Sequence, residues 1–301
     1  MSLLVTGSIG IDTIETPHGR ANDTLGGSAV YFAVAASLFN EVRMVAVVGD
    51  DFDARLFEPL GKRRIDTSGV ERRTGSRTFR WHGRYAGAMN EAETVDVKLN
   101  VLAERAATIP PAFADSPYVF LANTHPAAQF EMARQMSGSK LIVCDTMNLW
   151  IQNESQALRK TLAAVNGVVL NEGEARLLTG KSNLVAAGRE ILAMGPRFAI
   201  IKKGEHGSLM VSKEGVFVMP AYPTTNVVDP TGCGDCFAGA MMGYLAASGR
   251  TDIAGVRSAM ARGSVVASFV IESFSITSLH SATAADVESR LRELRAMAAY
   301  E

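Results

Sequence analysis

Short apolar runs that alternate with helical stretches restrict the fold of this 301-residue chain more than any other feature of its sequence. Several runs are apolar without alternation, which is typical of strands that are buried on both faces of a parallel sheet. The runs lie at 3–7, 43–49, 118–123, 140–145, 167–171 and 198–204. Strands that alternate with helices predict a sheet covered by helices on both sides. We therefore predict an α/β fold of three layers, with a doubly wound, mostly parallel sheet between two layers of helices. It is expected to form a single domain over residues 1–301.

One polar region, residues 70–100, departs from this pattern. It alternates at Thr78-Phe79-Arg80-Trp81, as expected for strands that are exposed on one face. We predict that it forms a small antiparallel sheet, which acts as a lid together with residues 12–24. Arg80 either faces a substrate or belongs to a solvated charged face. A further hairpin is predicted within residues 207–222.

The charge balance of the chain limits its partners. Thirty basic and thirty-one acidic residues give a formal charge of −1, so the chain has no net attraction to nucleic acid or to an acidic membrane surface. Its apolar segments are shorter than the roughly 20 residues of a membrane span, and its first residues lack the basic start of a secretory signal. We expect a cytoplasmic protein that acts on a small molecule, without nucleic-acid or membrane partners.

Residues 227–249, VVDPTGCGDCFAGAMMGYLAASG, allow two interpretations. Cys233 and Cys236 have the spacing of a metal or redox pair, but Cys144 and five dispersed histidines supply no second pair of ligands. The same residues form a glycine-rich turn that leads into an apolar helix, where N–H groups and the helix dipole favour anions. Asp235, at the start of this helix, either caps the helix or serves as a general base.

The stretch Asp229-Pro-Thr-Gly-Cys-Gly-Asp235, followed by Phe237 and Gly239, resembles a known family signature. The signature is D-T-T-G-A-G-D with F-x-x-G, and it belongs to the ribokinase or PfkB family of ATP-dependent sugar and nucleoside kinases. Pro230 and Cys233 depart from it where the backbone should matter more than the side chain. Other landmarks follow in the family's order across nearly the whole chain: Gly26-Gly27 before a helix, N-x-x-E at 171–174, and a nucleotide-loop pattern at 200–208. The resemblance implies a ribokinase-like fold.

The resemblance also implies the residues that carry the chemistry. Asp235 would act as the general base, and the amides of Gly232, Cys233 and Gly234 would stabilise the transferring phosphoryl group. ATP and Mg²⁺ are the implied cofactors. The residues implied for ATP are Asn171, Glu174, Lys203, Gly204, Gly207, Thr231, Gly232 and Gly234.

Two carboxylates are implied as metal ligands. Glu174 would contact Mg²⁺ through water, although Asn171 and Glu174 also fit a helix capping box, and both roles are compatible at the end of a parallel strand. Asp229 would bind a monovalent cation such as K⁺, with residues 270–277 close to the other ligands.

The acceptor is expected to be a sugar that is phosphorylated at a primary hydroxyl, with a nucleoside as the alternative. Ser28-Ala29-Val30-Tyr31 replaces the Lys-Gly-Ala-Asn of ribokinase-like sequences, which argues against ribose itself and leaves room for a flat or less polar group. Tyr31 either contacts the acceptor or packs in the core. The residues predicted for the acceptor are Asp12, Gly26, Gly27, Tyr31, Arg80, Asn123 and Asn148, of which Asn123 is chosen because it lies at the carboxyl end of a strand.

Three further hypotheses concern the chain as a whole. A non-catalytic sugar-binding regulator would keep the fold without a need for Asp235 and its neighbouring glycines. A thiol or zinc module would depend on Cys233. Relatives that pair through the lid sheet also suggest a homodimer.

Overall fold

A computed structural model describes residues 1–299 as a nine-stranded sheet between two layers of helices, with a second sheet of four strands. The strands are β1 (Leu3–Thr6), β2 (Gly10–Thr16), β3 (Gly19–Gly26), β4 (Val42–Gly49), β5 (Ile65–Arg73), β6 (Phe79–Tyr85), β7 (Ala92–Lys98), β8 (Tyr118–Leu121), β9 (Leu141–Asp145), β10 (Gly167–Asn171), β11 (Phe198–Lys202), β12 (Ser208–Ser212) and β13 (Gly215–Met219). The helices are α1 (Ser28–Ala36), α2 (Glu58–Gly61), α3 (Pro126–Gln135), α4 (Asn148–Asn153), α5 (Ser155–Ala164), α6 (Glu172–Thr179), α7 (Leu184–Ala193), α8 (Cys233–Ser248), α9 (Ile253–Val270), α10 (Thr277–Ser281) and α11 (Ala284–Ala298).

The large sheet has the strand order β13-β12-β11-β10-β9-β8-β1-β4-β5. All pairs from β11 to β5 are parallel, and β12 and β13 continue the sheet as an antiparallel hairpin. From β1 the chain adds β4 on one side of the sheet and later adds β8 on the other side, so the direction of the strand order reverses at β1. Open α/β sheets bind ligands at the carboxyl ends of the strands beside such a reversal. The predicted α/β fold is confirmed, and the hairpin predicted within 207–222 is present.

The core lies on both faces of the large sheet. Leu3 and Val5 of β1 pack on one face and Leu4 on the other, and all three are fully buried. Helices α1, α8 and α9 cover the first face, while α3, α5, α6 and α7 cover the second. Every residue of α1 is buried, because α1 lies between the sheet and α8. No helix within residues 1–299 combines the length and apolarity needed to cross a membrane.

The small sheet has the strand order β3-β2-β6-β7. Its outer pairs are antiparallel, as expected, whereas the central pair of β2 and β6 is parallel. The range predicted for the lid, 70–100, extends across two sheets, since Ile65–Arg73 pairs with β4 in the large sheet. Its polar sequence suggested an exposed strand, but Arg73 is only 7% exposed. Its guanidinium donates to the carbonyls of Val101 and Arg105, so a charged residue is buried here.

Two helices begin at the carboxyl edge of the large sheet, close to the predicted site. Helix α6 starts with a capping box of Asn171 and Glu174 and ends at Gly180 in the left-handed region. Helix α8 starts at Cys233, two residues earlier than the sequence suggested, because Gly232 at φ 76° turns the chain directly into the first helical residue.

Candidate active site

The turn before α8 presents backbone N–H groups at the positive end of a 16-residue helix. A Cβ atom at position 232 would lie 2.2 Å from the ring of Tyr31, so this left-handed position requires glycine. The N–H of Cys233 donates to the carbonyl of Pro230 at 3.2 Å. The prediction that Cys233 supplies a free amide is therefore not supported. The amides of Gly232 and Gly234 have no backbone acceptor among residues 1–299, so they are free to bind an anion.

Asp235 lies in the first turn of α8 and is partly buried. Burial raises the pKa of its carboxyl above the usual range, the ammonium of Lys202 lowers it, and the nearby Glu174 raises it. A carboxylate with a raised pKa is a better proton acceptor than an exposed one. The geometry therefore suits a general base beside an anion-binding turn.

Lys202 is a residue of this site that sequence reasoning missed. It is the last residue of β11, and a Cβ atom at Gly234 would lie 2.6 Å from its Nζ atom. The neighbouring Lys203, which was predicted for ATP, belongs to the loop after the strand, where its N–H donates to the carbonyl of Gly207 at 2.8 Å. Successive residues of a strand point to opposite faces, so the paired lysines of the sequence are not equivalent in the structure.

Asp12 lies against the double glycine at the start of α1. A Cβ atom at Gly26 would lie only 1.8 Å from Oδ2 of Asp12, so the carboxyl group fills the space that a side chain would take. Burial raises the pKa of Asp12 to about 7, the N–H of Gly27 lowers it by donating a hydrogen bond, and the charges of Asp229 and Asp235 raise it. Oδ1 of Asp12 is buried and has no protein partner in residues 1–299. This unpaired acceptor fits the predicted role of holding a substrate hydroxyl.

Tyr31 is 1% exposed, and its ring packs directly beneath Gly232. An aromatic ring in this position supports the anion-binding turn and presents no open face to an acceptor. The ring therefore packs in the core, while the hydroxyl of Tyr31 is buried without a hydrogen-bond partner in residues 1–299, so a contact between this hydroxyl and the acceptor stays a prediction.

Two acidic side chains lie at the carboxyl edge of the sheet, Asp145 at the end of β9 and Glu174 in the first turn of α6, which follows the neighbouring strand β10. Oε2 of Glu174 accepts the N–H of Asn171 at 2.6 Å, while the side chain of Asn171 accepts the N–H of Glu174 at 2.8 Å. Asp145 is 6% exposed, and its buried Oδ1 has no partner among the described residues. Burial raises the pKa of both carboxyls, and Lys202 lowers both. Oxygen atoms of this kind are the ligands that Mg²⁺ prefers.

Asp229 joins the turn before α8 to the segment 270–277. Its carboxylate accepts the N–H of Thr231 at 2.9 Å and the N–H of Ser275 at 3.2 Å. The two segments expected around a monovalent cation therefore meet at Asp229. Cation binding itself stays a prediction.

The small sheet reaches this site through two residues that the sequence did not single out. The hydroxyl of Tyr85, at the end of β6, lies 3.3 Å from the hydroxyl of Thr231. In the following loop, Oδ1 of Asn90 lies 3.3 Å from the Cβ position of Gly204, whose φ is 54°. The small sheet thus touches both the anion-binding turn and the predicted nucleotide loop, which is the arrangement expected of a closed lid.

Three residues predicted for the acceptor have other partners or positions. The guanidinium of Arg80 donates to Asp23 at 2.9 Å on the small sheet, so a carboxylate of the protein already balances its charge. Oδ1 of Asn123 accepts the indole N–H of Trp150 at 2.9 Å. Asn148 is exposed at the start of α4. Within residues 1–299, the side chains of Arg80 and Asn148 form no hydrogen bond or ion pair with the side chain of Asp12 or Asp235.

The cysteines of the CxxC stretch point away from the anion-binding turn. Sγ of Cys233 faces the carbonyl of Ala267 at 3.8 Å, and Sγ of Cys236 faces the carbonyl of Tyr31 at 3.3 Å. Burial raises the pKa of both thiols, which disfavours the thiolate that metal and redox chemistry requires. These contacts support a packing role.

The chain is similar to known kinases over nearly its whole length. Residues 2–282 match the model of the pfkB family carbohydrate kinases. A cytidine kinase of Thermococcus kodakarensis is 30% identical over 261 residues, which cover 83% of this chain and 89% of that protein.

Solved structures share the fold at lower identity. The nucleoside kinase of Methanocaldococcus jannaschii has a TM-score of 0.78 at 20% identity, with 97% of this chain and 98% of that chain covered. The nucleoside kinase of Burkholderia thailandensis in complex with inosine has a TM-score of 0.80 at 19% identity, with 97% of each chain covered. The chain belongs to the pfkB family of carbohydrate kinases and is an ATP-dependent sugar or nucleoside kinase.

Proposed function

We propose that this kinase transfers the γ-phosphoryl group of ATP to a primary hydroxyl of a nucleoside. The observation that carries the proposal is the position of Asp235, which combines a raised pKa with the free amides of Gly232 and Gly234 at one helix terminus. A base and an anion-binding turn side by side suit an attack by a hydroxyl on a phosphoryl group.

In the proposed step, the acceptor hydroxyl gives its proton to the carboxylate of Asp235. Its oxygen forms a bond to the γ-phosphorus as the bond from that phosphorus to the β,γ-bridging oxygen breaks, and ADP leaves with the bridging oxygen. The amides of Gly232 and Gly234 stabilise the charge on the transferring oxygens. Asp12 orients the acceptor through its unpaired Oδ1.

Magnesium fits the donors that the chain provides. The buried, unpartnered Oδ1 of Asp145 lies at the end of β9, and the carboxylate of Glu174 lies in the first turn of α6, which follows the neighbouring strand β10. Magnesium is typically held by one or two carboxylates with waters and phosphates. Asp145 and Glu174 would hold it together with its waters. When bound, Mg²⁺ neutralises negative charge on the phosphates of ATP.

A nucleoside is favoured over a free sugar as the acceptor, which reverses the order suggested by the sequence. The support is the identity with the cytidine kinase, which extends over most of both chains. Asn123 and Trp150 follow the neighbouring strands β8 and β9, and their mutual hydrogen bond fixes an amide and an indole at the same edge of the sheet as Asp145. An aromatic ring and an oriented amide are groups that bind a nucleobase.

The test is a screen in which the purified chain receives ATP and Mg²⁺ with cytidine, inosine, other nucleosides, ribose or deoxyribose. ADP release is measured, and the phosphorylated product is identified by mass spectrometry. We expect phosphorylation of at least one nucleoside with a kcat/KM at least about tenfold above that of either free sugar. A higher kcat/KM for a free sugar contradicts the proposed acceptor, and no phosphorylation of any acceptor contradicts the proposed function.

A further inference from the structure

Lys202 places a positive charge at the N-terminus of α8. Its Nζ atom lies 2.6 Å from the position of a Cβ atom on Gly234, so the ammonium lies against Gly234 and a side chain at 234 would displace it. No hydrogen bond or ion pair to this ammonium occurs within residues 1–299. An ammonium normally contacts acceptors, and here it has none of its own.

The surroundings of this ammonium identify the type of partner that it lacks. The positive end of the helix dipole repels a cation, so the helix does not explain its position. Asp145, Glu174 and Asp235 are close enough for Lys202 to lower the pKa of each, yet none lies within ion-pair distance. Lys202, the free amide of Gly234 and the base Asp235 therefore border one space that is suited to an anion.

We propose that Lys202 is a catalytic residue whose ammonium binds the transferring phosphoryl group. This inference rests on the proposed function, in which that group passes from ATP to the acceptor. As the new oxygen–phosphorus bond forms and the bridging bond breaks, Lys202 keeps its proton and stabilises the charge on the phosphoryl oxygens.

The competing explanation is that Lys202 only neutralises the three carboxylates. The two explanations predict different kinetics. A counter-ion alone changes the pH at which Asp235 ionises and leaves the rate at high pH unchanged, whereas a phosphoryl ligand also changes the rate at high pH and the affinity for the γ-phosphate of ATP.

The experiment compares Lys202→Met, Lys202→Arg and the matched control Lys213→Met, which removes an exposed lysine from the turn between β12 and β13. We expect Lys202→Met to lower kcat at pH 9 by at least about 10²-fold, the effect of removing one preorganised charge-stabilising group. Lys202→Arg should recover part of this loss, and Lys213→Met should match the unchanged chain. Calorimetry without an acceptor should show that Lys202→Met weakens binding of ATP at least about tenfold more than binding of ADP.

Two results overturn the proposal. One is that kcat of Lys202→Met at pH 9 stays within about threefold of the value for the unchanged chain, while only the acidic limb of its pH profile moves to higher pH. The other is an equal effect of Lys202→Met on ATP and ADP affinity. The binding measurement needs no acceptor, so it tests Lys202 even if the unchanged chain phosphorylates none of the nucleosides or sugars, a result that contradicts the proposed function alone.

Discussion

The hydroxyl of Tyr85 in the small sheet lies 3.3 Å from the hydroxyl of Thr231, which immediately precedes the anion-binding turn. This contact joins residues 146 positions apart in the sequence. It connects the small sheet, which is the predicted lid, directly to the part of the site where phosphoryl transfer is proposed.

Tyr85→Phe should loosen the lid, because a typical hydrogen bond contributes about 1 kcal/mol to stability. Water then enters a site that closure normally protects. We expect the ratio of ADP released to product phosphorylated to rise above that of the unchanged chain. Tyr222→Phe, which removes a hydroxyl bonded to Glu293 on α11, serves as the control. If the ratio of ADP to phosphorylated product is the same in the unchanged chain, Tyr85→Phe and Tyr222→Phe, Tyr85 has no role in closing the site.

Gly26→Ala should damage acceptor binding, because the new Cβ atom would lie 1.8 Å from Oδ2 of Asp12. Displacement of a positioning group by about 1 Å can cost on the order of 10²-fold in rate, so we expect a loss of that size in kcat/KM for the acceptor. Gly61→Ala is the matched control, since nothing lies within 4 Å of its Cβ position. A Gly26→Ala variant with unchanged acceptor kinetics contradicts the role given to Asp12.

The sequence predicted the parts of the site that depend on local backbone geometry. Gly232 and Gly234 mark a turn into a helix, and Asn171 with Glu174 marks a helix start. Each pattern reflects constraints within a few residues, so it can be recognised without the fold. The βα alternation is likewise a local pattern, and it predicted a mostly parallel sheet without giving the order of its strands.

The sequence did not identify contacts that depend on distant packing. Lys202 and Lys203 are adjacent, and only the end of β11 decides which of them faces α8. Tyr31 lies in a helix that is buried on every side, so no apolar stripe could indicate whether it faces the core or the acceptor. Arg80 has carboxylate partners on other segments of the chain, which its own surroundings in the sequence do not indicate.

The pH dependence of activity should reflect the raised pKa of the partly buried base Asp235. Burial raises the pKa of Asp235, and a general base acts only when it is deprotonated. We therefore expect kcat/KM to fall as the pH decreases through a value well above 4, the usual range of an aspartate. A profile that stays flat from pH 9 down to pH 5 contradicts this assignment.

Stability should show the opposite dependence for a buried carboxyl. Asp12 has a pKa of about 7 in the folded chain and about 4 when unfolded, so the folded state binds its proton more tightly. The resulting stabilisation is complete below pH 4 and disappears as the pH rises through 7. Asp12→Asn should therefore raise Tm at pH 8 by several degrees and by much less at pH 5. An equal change at both pH values contradicts the raised pKa.

Cys233→Ala should leave kcat within about twofold of the unchanged chain, since the thiol faces Ala267 and lies outside the turn's anion-binding surface. If Cys233→Ala lost most of its kcat and added zinc restored it, the thiol or zinc hypothesis would be supported again.

Gly232→Ala at the preceding position should abolish most activity, because alanine is strained at φ 76° and its Cβ atom would overlap the ring of Tyr31.

The most direct test of the account is the rate of Asp235→Asn with ATP, Mg²⁺ and the best nucleoside found in the screen. Asparagine keeps the size of the side chain but cannot accept the hydroxyl proton as a carboxylate does. We predict that kcat falls by at least about 10²-fold, the lower end of general-base contributions, while calorimetry shows that ATP still binds. A kcat that stays within about twofold of the unchanged chain would contradict the central claim that Asp235 is the base.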